Sequence, residues 1–185
     1  DFKFDQTPVD GKPADFHDLA AFGSEGVLCL MSDSTRAESP GYTPSERTVG
    51  EAFRDIMQGL TGRVSVATFA SNIARVQQVF EASETFGRKA AVLGRSMEQN
   101  SRIAADLGYL RPPSTGLVPK GKIKDIPDDQ LTIVTTGAQG EPMAGLARRA
   151  NHENRFVEIT PGDTVIVSAS PIPGNEEYVA RTVDN

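Results

Sequence analysis

Apolar and polar positions along the chain form blocks that predict strands followed by helices. Four short apolar runs have the length and composition of buried strands: residues 63–69, 89–93, 131–135 and 163–168. Each is followed by a stretch with helical spacing, and these helices are predicted at residues 71–86, 97–107, 143–150 and 175–183. Strand–helix units in series indicate a parallel sheet. The sequence therefore predicts an α/β fold, a parallel sheet with helices on both faces.

The N-terminal part of the chain has different patterns. A short amphipathic stretch from His17 to Phe22 precedes a continuous apolar run at residues 26–32. This run is expected to form a strand buried on both faces, with Cys29 as a buried thiol. Thr43-Pro-Ser-Glu46 has the form of a capping box with proline at the first helical position, which predicts a helix from residue 43 to about residue 60. Residues 110–129 hold four of the 12 prolines and are expected to be irregular.

Composition and charge narrow the possible classes of protein. The 185 residues include 19 basic and 25 acidic ones, and the net charge of −6 argues against a protein that coats nucleic acid nonspecifically. No stretch approaches the roughly 20 apolar residues of a membrane span, so no membrane partner is expected. The single cysteine fits a reducing compartment, which predicts a cytoplasmic location. Since the chain opens without methionine, it is expected to come from a longer protein.

The ends of the four predicted strands are rich in Ser, Thr, Asn, Gln and Gly. In a parallel α/β sheet, ligands bind beyond the carboxyl ends of the strands, where the free N–H groups of helix starts favour anions. A phosphate or phosphodiester is therefore the expected ligand. The candidate binding residues at these ends are Ser71, Asn72, Arg95, Ser96, Gln139, Glu141, Ser168, Ser170 and Asn175.

Several of these candidates also have a structural alternative. Ser71, Asn72, Ser96 and Asn175 are residue types that cap helices. Arg95 can reach a phosphate or pair with a surface carboxylate. Asp33 follows the apolar run at 26–32, where a carboxylate is either catalytic or bonded to the backbone of a turn.

The histidines and charge runs do not by themselves indicate a metal site. His17 and His152 are the only histidines, they are isolated, and His152 is expected to be exposed in a loop. No His-x-His-x-Asp-His pattern occurs, and two lone histidines cannot build a dinuclear site. The charged residues from Lys120 to Lys124 are expected to be solvated loop residues.

Several segments, in the same order along the chain, resemble the ribonuclease J family. They are residues 1–8, Ser32-Asp-Ser-Thr35, Phe69-Ala-Ser-Asn-Ile73, Arg75-Val-Gln-Gln78, Gly94-Arg-Ser-Met97, Thr136-Gly-Ala-Gln-Gly-Glu-Pro-Met143, Pro161-Gly-Asp-Thr164 and Ser168-Ala-Ser-Pro-Ile-Pro-Gly-Asn175. The resemblance implies a metallo-β-lactamase fold with an inserted β-CASP domain. Residues 1–32 would be the end of the metallo-β-lactamase segment, and residues 33–185 the β-CASP domain.

The resemblance also implies roles for particular residues. Asp1 resembles the carboxylate that bridges two zinc ions, and Asp33 matches an acidic motif that supports a catalytic histidine. Ser71 and Asn72 fall where the family helps to hold an RNA 5′ phosphate. The implied function is cleavage of single-stranded RNA, both internally and from a 5′ monophosphate end, by a full-length protein that is a homo-oligomer.

The sequence departs from the family pattern at several points. Ala74 stands where the family has a histidine, and Ala138 stands where it has a serine. The remaining metal-binding histidines would lie before residue 1 and after residue 185, so this chain alone is expected to be inactive and to bind zinc weakly. The alternative function is a non-catalytic module that binds phosphate, nucleotide or RNA. A purely structural α/β domain is the third possibility.

Overall fold

The computed structural model describes residues 3–34 and 37–185. The chain divides into two compact units, Asp1–Val49 and Gly50–Asn185. The second unit contains a four-stranded sheet in the order β2-β3-β1-β4. Its strands are β1 (Val64–Ala67), β2 (Lys89–Leu93), β3 (Leu131–Thr135) and β4 (Thr164–Val167). All three pairings are parallel, which confirms the predicted sheet.

The helices alternate with these strands as predicted. They are α1 (Phe16–Glu25), α2 (Arg47–Met57), α3 (Ile73–Thr85), α4 (Arg95–Asp106), α5 (Gly145–Ala150) and α6 (Glu176–Asp184). The proline-rich segment is irregular apart from two 3-10 helices, Lys120–Asp125 and Asp128–Gln130. One of these is anchored in the core, because Ile123 is only 1% exposed.

The two central strands are buried along their whole length. Every residue of β1 and of β3 is buried, so both faces of the sheet centre are covered. Strands covered on both faces are mostly apolar, and here Ser65, Thr132 and Thr135 are the buried polar residues among them. One apolar cluster between the sheet and the proline-rich segment consists of Ala91, Leu93, Val118, Ile123, Leu131, Ile133 and Val157. A second cluster contains Ala67, Ala138 and Leu146.

Helix α2 begins later than the capping box predicted, at Arg47 rather than near Thr43. The Ser45 hydroxyl accepts a hydrogen bond from the Arg47 amide at 3.2 Å. The Asp5 carboxylate accepts from the Glu46 amide at 2.8 Å and from the Ser45 hydroxyl at 3.0 Å. A distant carboxylate therefore satisfies the amide groups that lead into the helix.

The predicted strand at residues 26–32 is not a strand in this structure. Leu28 is 104% exposed, Leu30 84% and Met31 90%, and Cys29 is exposed rather than buried. In the part of the chain that the structure describes, no strand pairs with this run. The prediction of a buried strand is therefore wrong here, because a strand of this kind needs a sheet on which to pack.

Within residues 3–34 and 37–185, no helix has the length and apolar character that crossing a membrane requires.

Candidate nucleic-acid interface

A crevice of about 1160 Å³ opens at the carboxyl ends of three strands of the sheet. We call it the strand-end crevice. Its walls include residues that directly follow β1, β2 and β3, namely Thr68, Phe69, Ala70, Gly94, Arg95, Ser96, Thr136, Gly137 and Ala138. The end of β4 contributes no lining residue. A crevice is thus found at three of the four strand ends, and binding of a ligand there stays a prediction.

Gly94 joins β2 to α4 at the floor of the crevice. Its φ of 109° lies in a region that L side chains rarely adopt, and a Cβ atom there would be 2.9 Å from the Thr136 hydroxyl oxygen. No side chain caps α4, whose first residues Arg95 and Ser96 line the crevice. The turn therefore brings the positive end of a helix dipole to the crevice wall.

The strand-end crevice is basic, although the chain as a whole is acidic. Five basic side chains line it: Arg95, Arg102, Lys120, Arg148 and Arg155. The lining contains two acidic side chains, Glu98 and Glu141. Its net charge is therefore +3, whereas the net charge of the chain is −6. A concave surface of one sign concentrates ligands of the opposite sign.

The basic residues differ in how they are held. The Lys120 ammonium forms an ion pair with Glu98 at 2.9 Å, and the Arg148 guanidinium donates to the Glu153 carbonyl at 3.2 Å. Among the described residues, no carboxylate pairs with Arg95, so the alternative of a surface ion pair is not observed for it. Lys120 was expected to be a solvated loop residue, and its side chain is indeed 46% exposed, but it lies at the start of a 3-10 helix and also lines the crevice.

One wall of the crevice carries an aromatic ring with two cations close to it. The guanidinium carbon of Arg155 lies 4.7 Å from the centre of the Phe156 ring, and the Lys120 nitrogen lies 5.5 Å from it. The Asn154 side chain accepts a hydrogen bond from the Phe156 amide at 2.9 Å and fixes the turn. Sequence reasoning missed this group, because Lys120 is distant along the chain from the adjacent Arg155 and Phe156 and the three share no motif.

Of the nine predicted binding residues, the structure brings three into the crevice: Arg95, Ser96 and Glu141. Arg95 and Ser96 are exposed at the start of α4. The Glu141 carboxylate is also exposed and accepts a hydrogen bond from the Gln139 amide at 3.2 Å. The predicted positions therefore give the crevice one cationic donor, Arg95, one hydroxyl donor, Ser96, and one carboxylate acceptor, Glu141.

Ser71 and Asn72 lie at the start of α3 and do not line the crevice. The Asn72 side-chain oxygen accepts a hydrogen bond from the Arg75 amide at 3.0 Å, which is the geometry of a helix cap. Ser71 is exposed beside it. Asn72 therefore has the structural role that was one of its two alternatives, and its side-chain nitrogen points to no acceptor among the described residues.

Gln139 holds the segment that follows β4. The residue is only 3% exposed, its side-chain nitrogen donates to the Ser170 carbonyl at 3.0 Å, and its side-chain oxygen accepts from the Ile172 amide at 2.7 Å. The Asn175 side chain donates to the same oxygen at 3.3 Å. These bonds occupy both ends of the Gln139 amide within the protein.

The Arg75 guanidinium holds the other end of this segment, since it donates to the Ser168 carbonyl at 2.8 Å. Ser168, Ser170 and Asn175 thus belong to a hydrogen-bonded segment outside the crevice wall. Their assignment as binding residues stays a prediction.

The predicted catalytic and metal residues belong to the other unit, Asp1–Val49. Asp33 lies after the exposed apolar run, where its carbonyl accepts a hydrogen bond from the Ser32 hydroxyl at 3.1 Å. Asp1 lies outside the described residues. His152 is exposed as predicted, with Nδ1 at 3.1 Å from the Glu158 carboxylate.

The described residues do not fit a dinuclear metal site. Across residues 3–34 and 37–185, no group of three or more His, Cys, Asp or Glu side chains converges in a way that would hold a metal ion. A structural or catalytic zinc ion takes at least three protein ligands, and the described residues do not supply such a set.

The chain was compared with known protein families and with curated proteins. Residues 61–185 match the β-CASP domain of ribonuclease J. The chain is 50% identical over 184 residues to a protein named ribonuclease J 1 from Streptococcus pyogenes serotype M3. It is also 50% identical to ribonuclease J from Thermus thermophilus, and 45% identical to ribonuclease J from Mycobacterium tuberculosis. The alignments cover 100% of this chain but only 33%, 32% and 33% of these relatives, respectively, so the chain spans about one third of their length.

Proposed function

The chain belongs to the ribonuclease J β-CASP domain family, and on that basis we propose that it supplies the RNA-holding part of a ribonuclease. The observation that carries the proposal is the strand-end crevice, whose lining has a net charge of +3 in a chain of net charge −6. An RNA phosphodiester backbone is a regular array of negative charge, and basic side chains account for most of the affinity for it.

The proposed substrate is single-stranded RNA, cut internally and from a 5′ monophosphate end. The unpaired Arg95 and the uncapped start of α4 face the crevice and would contact phosphates there. Ser71 and Asn72 are proposed to contact the 5′ phosphate. The amide oxygen of Asn72 is used as a helix cap, and this leaves its side-chain nitrogen as the donor. Gln139, Ser168, Ser170 and Asn175 would support the crevice by fixing the neighbouring segment.

Hydrolysis is proposed to depend on metal ions, specifically zinc. Since the described residues do not supply the ligands, the histidines that hold the metal are proposed to lie in the other two thirds of the full-length protein. Asp1 is proposed as a further ligand, and Asp33 as the support of a catalytic histidine. Hydrolysis would therefore need residues from the rest of the full-length protein, and this chain alone is proposed to be inactive.

Residues 1–32 are proposed to belong to the metallo-β-lactamase part, and residues 33–185 to the β-CASP domain. The exposed apolar run with Leu28, Cys29 and Leu30 supports this boundary, because a sheet elsewhere in the full-length protein would cover it. In the full-length protein we expect Cys29 to react with a thiol reagent only after denaturant is added. Rapid labelling of Cys29 in the native protein, located by peptide mapping, would contradict the assignment.

The function is tested with the full-length protein and single-stranded RNAs of one sequence that carry a 5′ monophosphate, triphosphate or hydroxyl. We expect cleavage that EDTA abolishes and zinc restores, with 5′ to 3′ degradation fastest from the monophosphate. Arg95→Ala should weaken RNA binding, whereas Arg54→Ala, on the exposed side of α2, should not. RNA binding without cleavage would favour the non-catalytic module, and neither binding nor cleavage would leave only a structural domain.

We also propose that the full-length protein is cytoplasmic and forms a homo-oligomer. Light scattering on the same protein would measure the oligomeric state.

A further inference from the structure

The turn at Asn154–Phe156 forms a rigid aromatic and cationic surface on one wall of the crevice. The Phe156 ring is half-buried and lines the crevice, with the Arg155 guanidinium carbon 4.7 Å and the Lys120 nitrogen 5.5 Å from its centre. Both distances are within the range of cation–π attraction. We call these three residues the cation–aromatic group.

The group is held in place before any ligand binds. The Asn154 side-chain oxygen accepts hydrogen bonds from the Phe156 amide at 2.9 Å and from the Val157 amide at 3.3 Å. Val157 is 2% exposed and belongs to the apolar cluster against the sheet. On the other side, Lys120 is fixed by its ion pair with Glu98 on α4, 2.9 Å long. A surface that is ordered in advance loses little conformational entropy when it binds a ligand.

Arg155 is exposed, and its planar guanidinium group lies over the half-buried Phe156 ring. A nucleobase can stack on such a plane, because bases stack on arginine as well as on aromatic rings. The surrounding net positive charge of the crevice would hold the phosphates on either side of that base. Every base offers an aromatic face, so stacking here would not discriminate between sequences.

We infer that the cation–aromatic group of Lys120, Arg155 and Phe156 is a base-stacking subsite that holds one nucleotide of a single-stranded RNA in the strand-end crevice. The inference rests on the proposed function, since it names how the same crevice contacts RNA. It adds residues that lie outside every motif by which the sequence resembles ribonuclease J.

The test measures binding of a short single-stranded oligoribonucleotide to the full-length protein over a salt series, with 2-aminopurine placed at successive positions. At one position the fluorescence should fall on binding, because the base stacks. Arg155→Ala should weaken binding about 5- to 100-fold, the range found for the loss of one stacking contact, and should remove that fall. Arg155→Lys keeps the charge, so it should preserve the salt dependence and still lose the fluorescence change.

The matched control is Lys122→Ala, an exposed lysine on the same 3-10 helix as Lys120 that does not line the crevice. Phe156→Leu is the second test variant, and its melting temperature is measured alongside. If Arg155→Ala binds within twofold of wild type, as Lys122→Ala should, the subsite is overturned. A wild-type protein that does not bind the oligonucleotide also overturns it. A protein that binds with the expected quenching but does not cleave RNA supports the subsite and overturns the ribonuclease activity instead.

Discussion

Arg63 and Asp163 form a two-point ion pair that joins the start of β1 to the start of β4. The Arg63 Nε and Nη2 atoms donate to the two carboxylate oxygens of Asp163, each at 2.8 Å. The Asp163 side chain is 2% exposed and that of Arg63 is 13% exposed, so the pair is largely shielded from water. The Thr160 amide donates to the same carboxylate at 3.0 Å. This pair thus fixes the edge strand of the sheet at the end opposite the crevice.

Asp163→Asn should lower the free energy of unfolding of the sheet by about 2–3 kcal/mol. The substitution removes the charge and one acceptor while Arg63 stays buried, and hydrogen bonds to charged groups are worth about 1.5–3 kcal/mol. Urea unfolding of the full-length protein would measure the change, with Asp55→Asn on the exposed side of α2 as the control. Equal midpoints for the two variants would show that the pair contributes nothing.

Gln139→Leu should release the segment after β4 without unfolding the sheet. The buried amide of Gln139 is the acceptor for the Ile172 amide at 2.7 Å. Loss of that acceptor costs about 1–3 kcal/mol, which corresponds to roughly 5- to 160-fold faster amide exchange. Hydrogen exchange should show this acceleration at Ile172 and not in β3. Equal acceleration of amide exchange in β3 and at Ile172 would contradict this prediction, because Gln139 would then stabilise the whole sheet.

The Asp5 carboxylate should make the start of α2 sensitive to acid. The hydrogen bond from the Glu46 amide is the largest cause that lowers the pKa of Asp5 below its ordinary value of 3.8. Because the folded pKa is the lower one, the stabilisation is present above 3.8 and is lost as the pH falls through the folded value. The protection factor of the Glu46 amide should follow this course in the wild type and be independent of pH in Asp5→Asn. Asp10→Asn is the control, since Asp10 accepts from Lys12 in a separate turn, at 3.1 Å.

The sequence predicted the strands well because each is a short, mostly apolar segment followed by a helical pattern, although only the central strands β1 and β3 are buried along their whole length. The apolar run at residues 26–32 also predicted a buried strand, but this prediction was wrong. An apolar run indicates burial without indicating which sheet would bury it. The position of the crevice was predicted in part. The chain order of the strands does not give their order in space, β2-β3-β1-β4, in which β4 is an edge strand that does not reach the crevice.

Individual side chains were harder to assign than strand ends. Gln139 follows a strand, as a ligand-binding residue would, but its amide is bonded at both ends to a segment about thirty residues away. Lys120 belongs to a charged run that is typical of a solvated loop, yet burial of Ile123 fixes the 3-10 helix and places Lys120 at the crevice. In both cases a long-range contact decides the role, and local sequence patterns do not contain it.

The two buried arginines, Arg88 and Arg149, differ in their hydrogen-bond acceptors. Arg88 is 1% exposed, and its guanidinium donates to the carbonyls of Leu60 at 2.5 Å, Gly62 at 2.9 Å and Leu131 at 3.2 Å. Arg149 is 0% exposed, and none of its three side-chain nitrogens has an acceptor among the described residues. Burial lowers the pKa of Arg149 to about 10, against the opposing effect of the Asp163 carboxylate. Since the folded pKa lies below that of the unfolded chain, the full cost of the buried charge is present at every pH below about 10.

Arg149→Met should therefore leave the free energy of unfolding at pH 7 unchanged or raise it by about 1–3 kcal/mol, because an apolar side chain of similar length removes an uncompensated charge. Arg88→Met should lower it by about 2–4 kcal/mol, because the carbonyls of Leu60, Gly62 and Leu131 lose their donor, and that of Leu131 is fully buried. Hydrogen exchange of the β1 and β3 amides in the full-length protein measures both effects in the same sheet. If Arg149→Met proved as destabilising as Arg88→Met, Arg149 would have to donate to partners such as ordered water, which satisfies buried polar groups in other proteins.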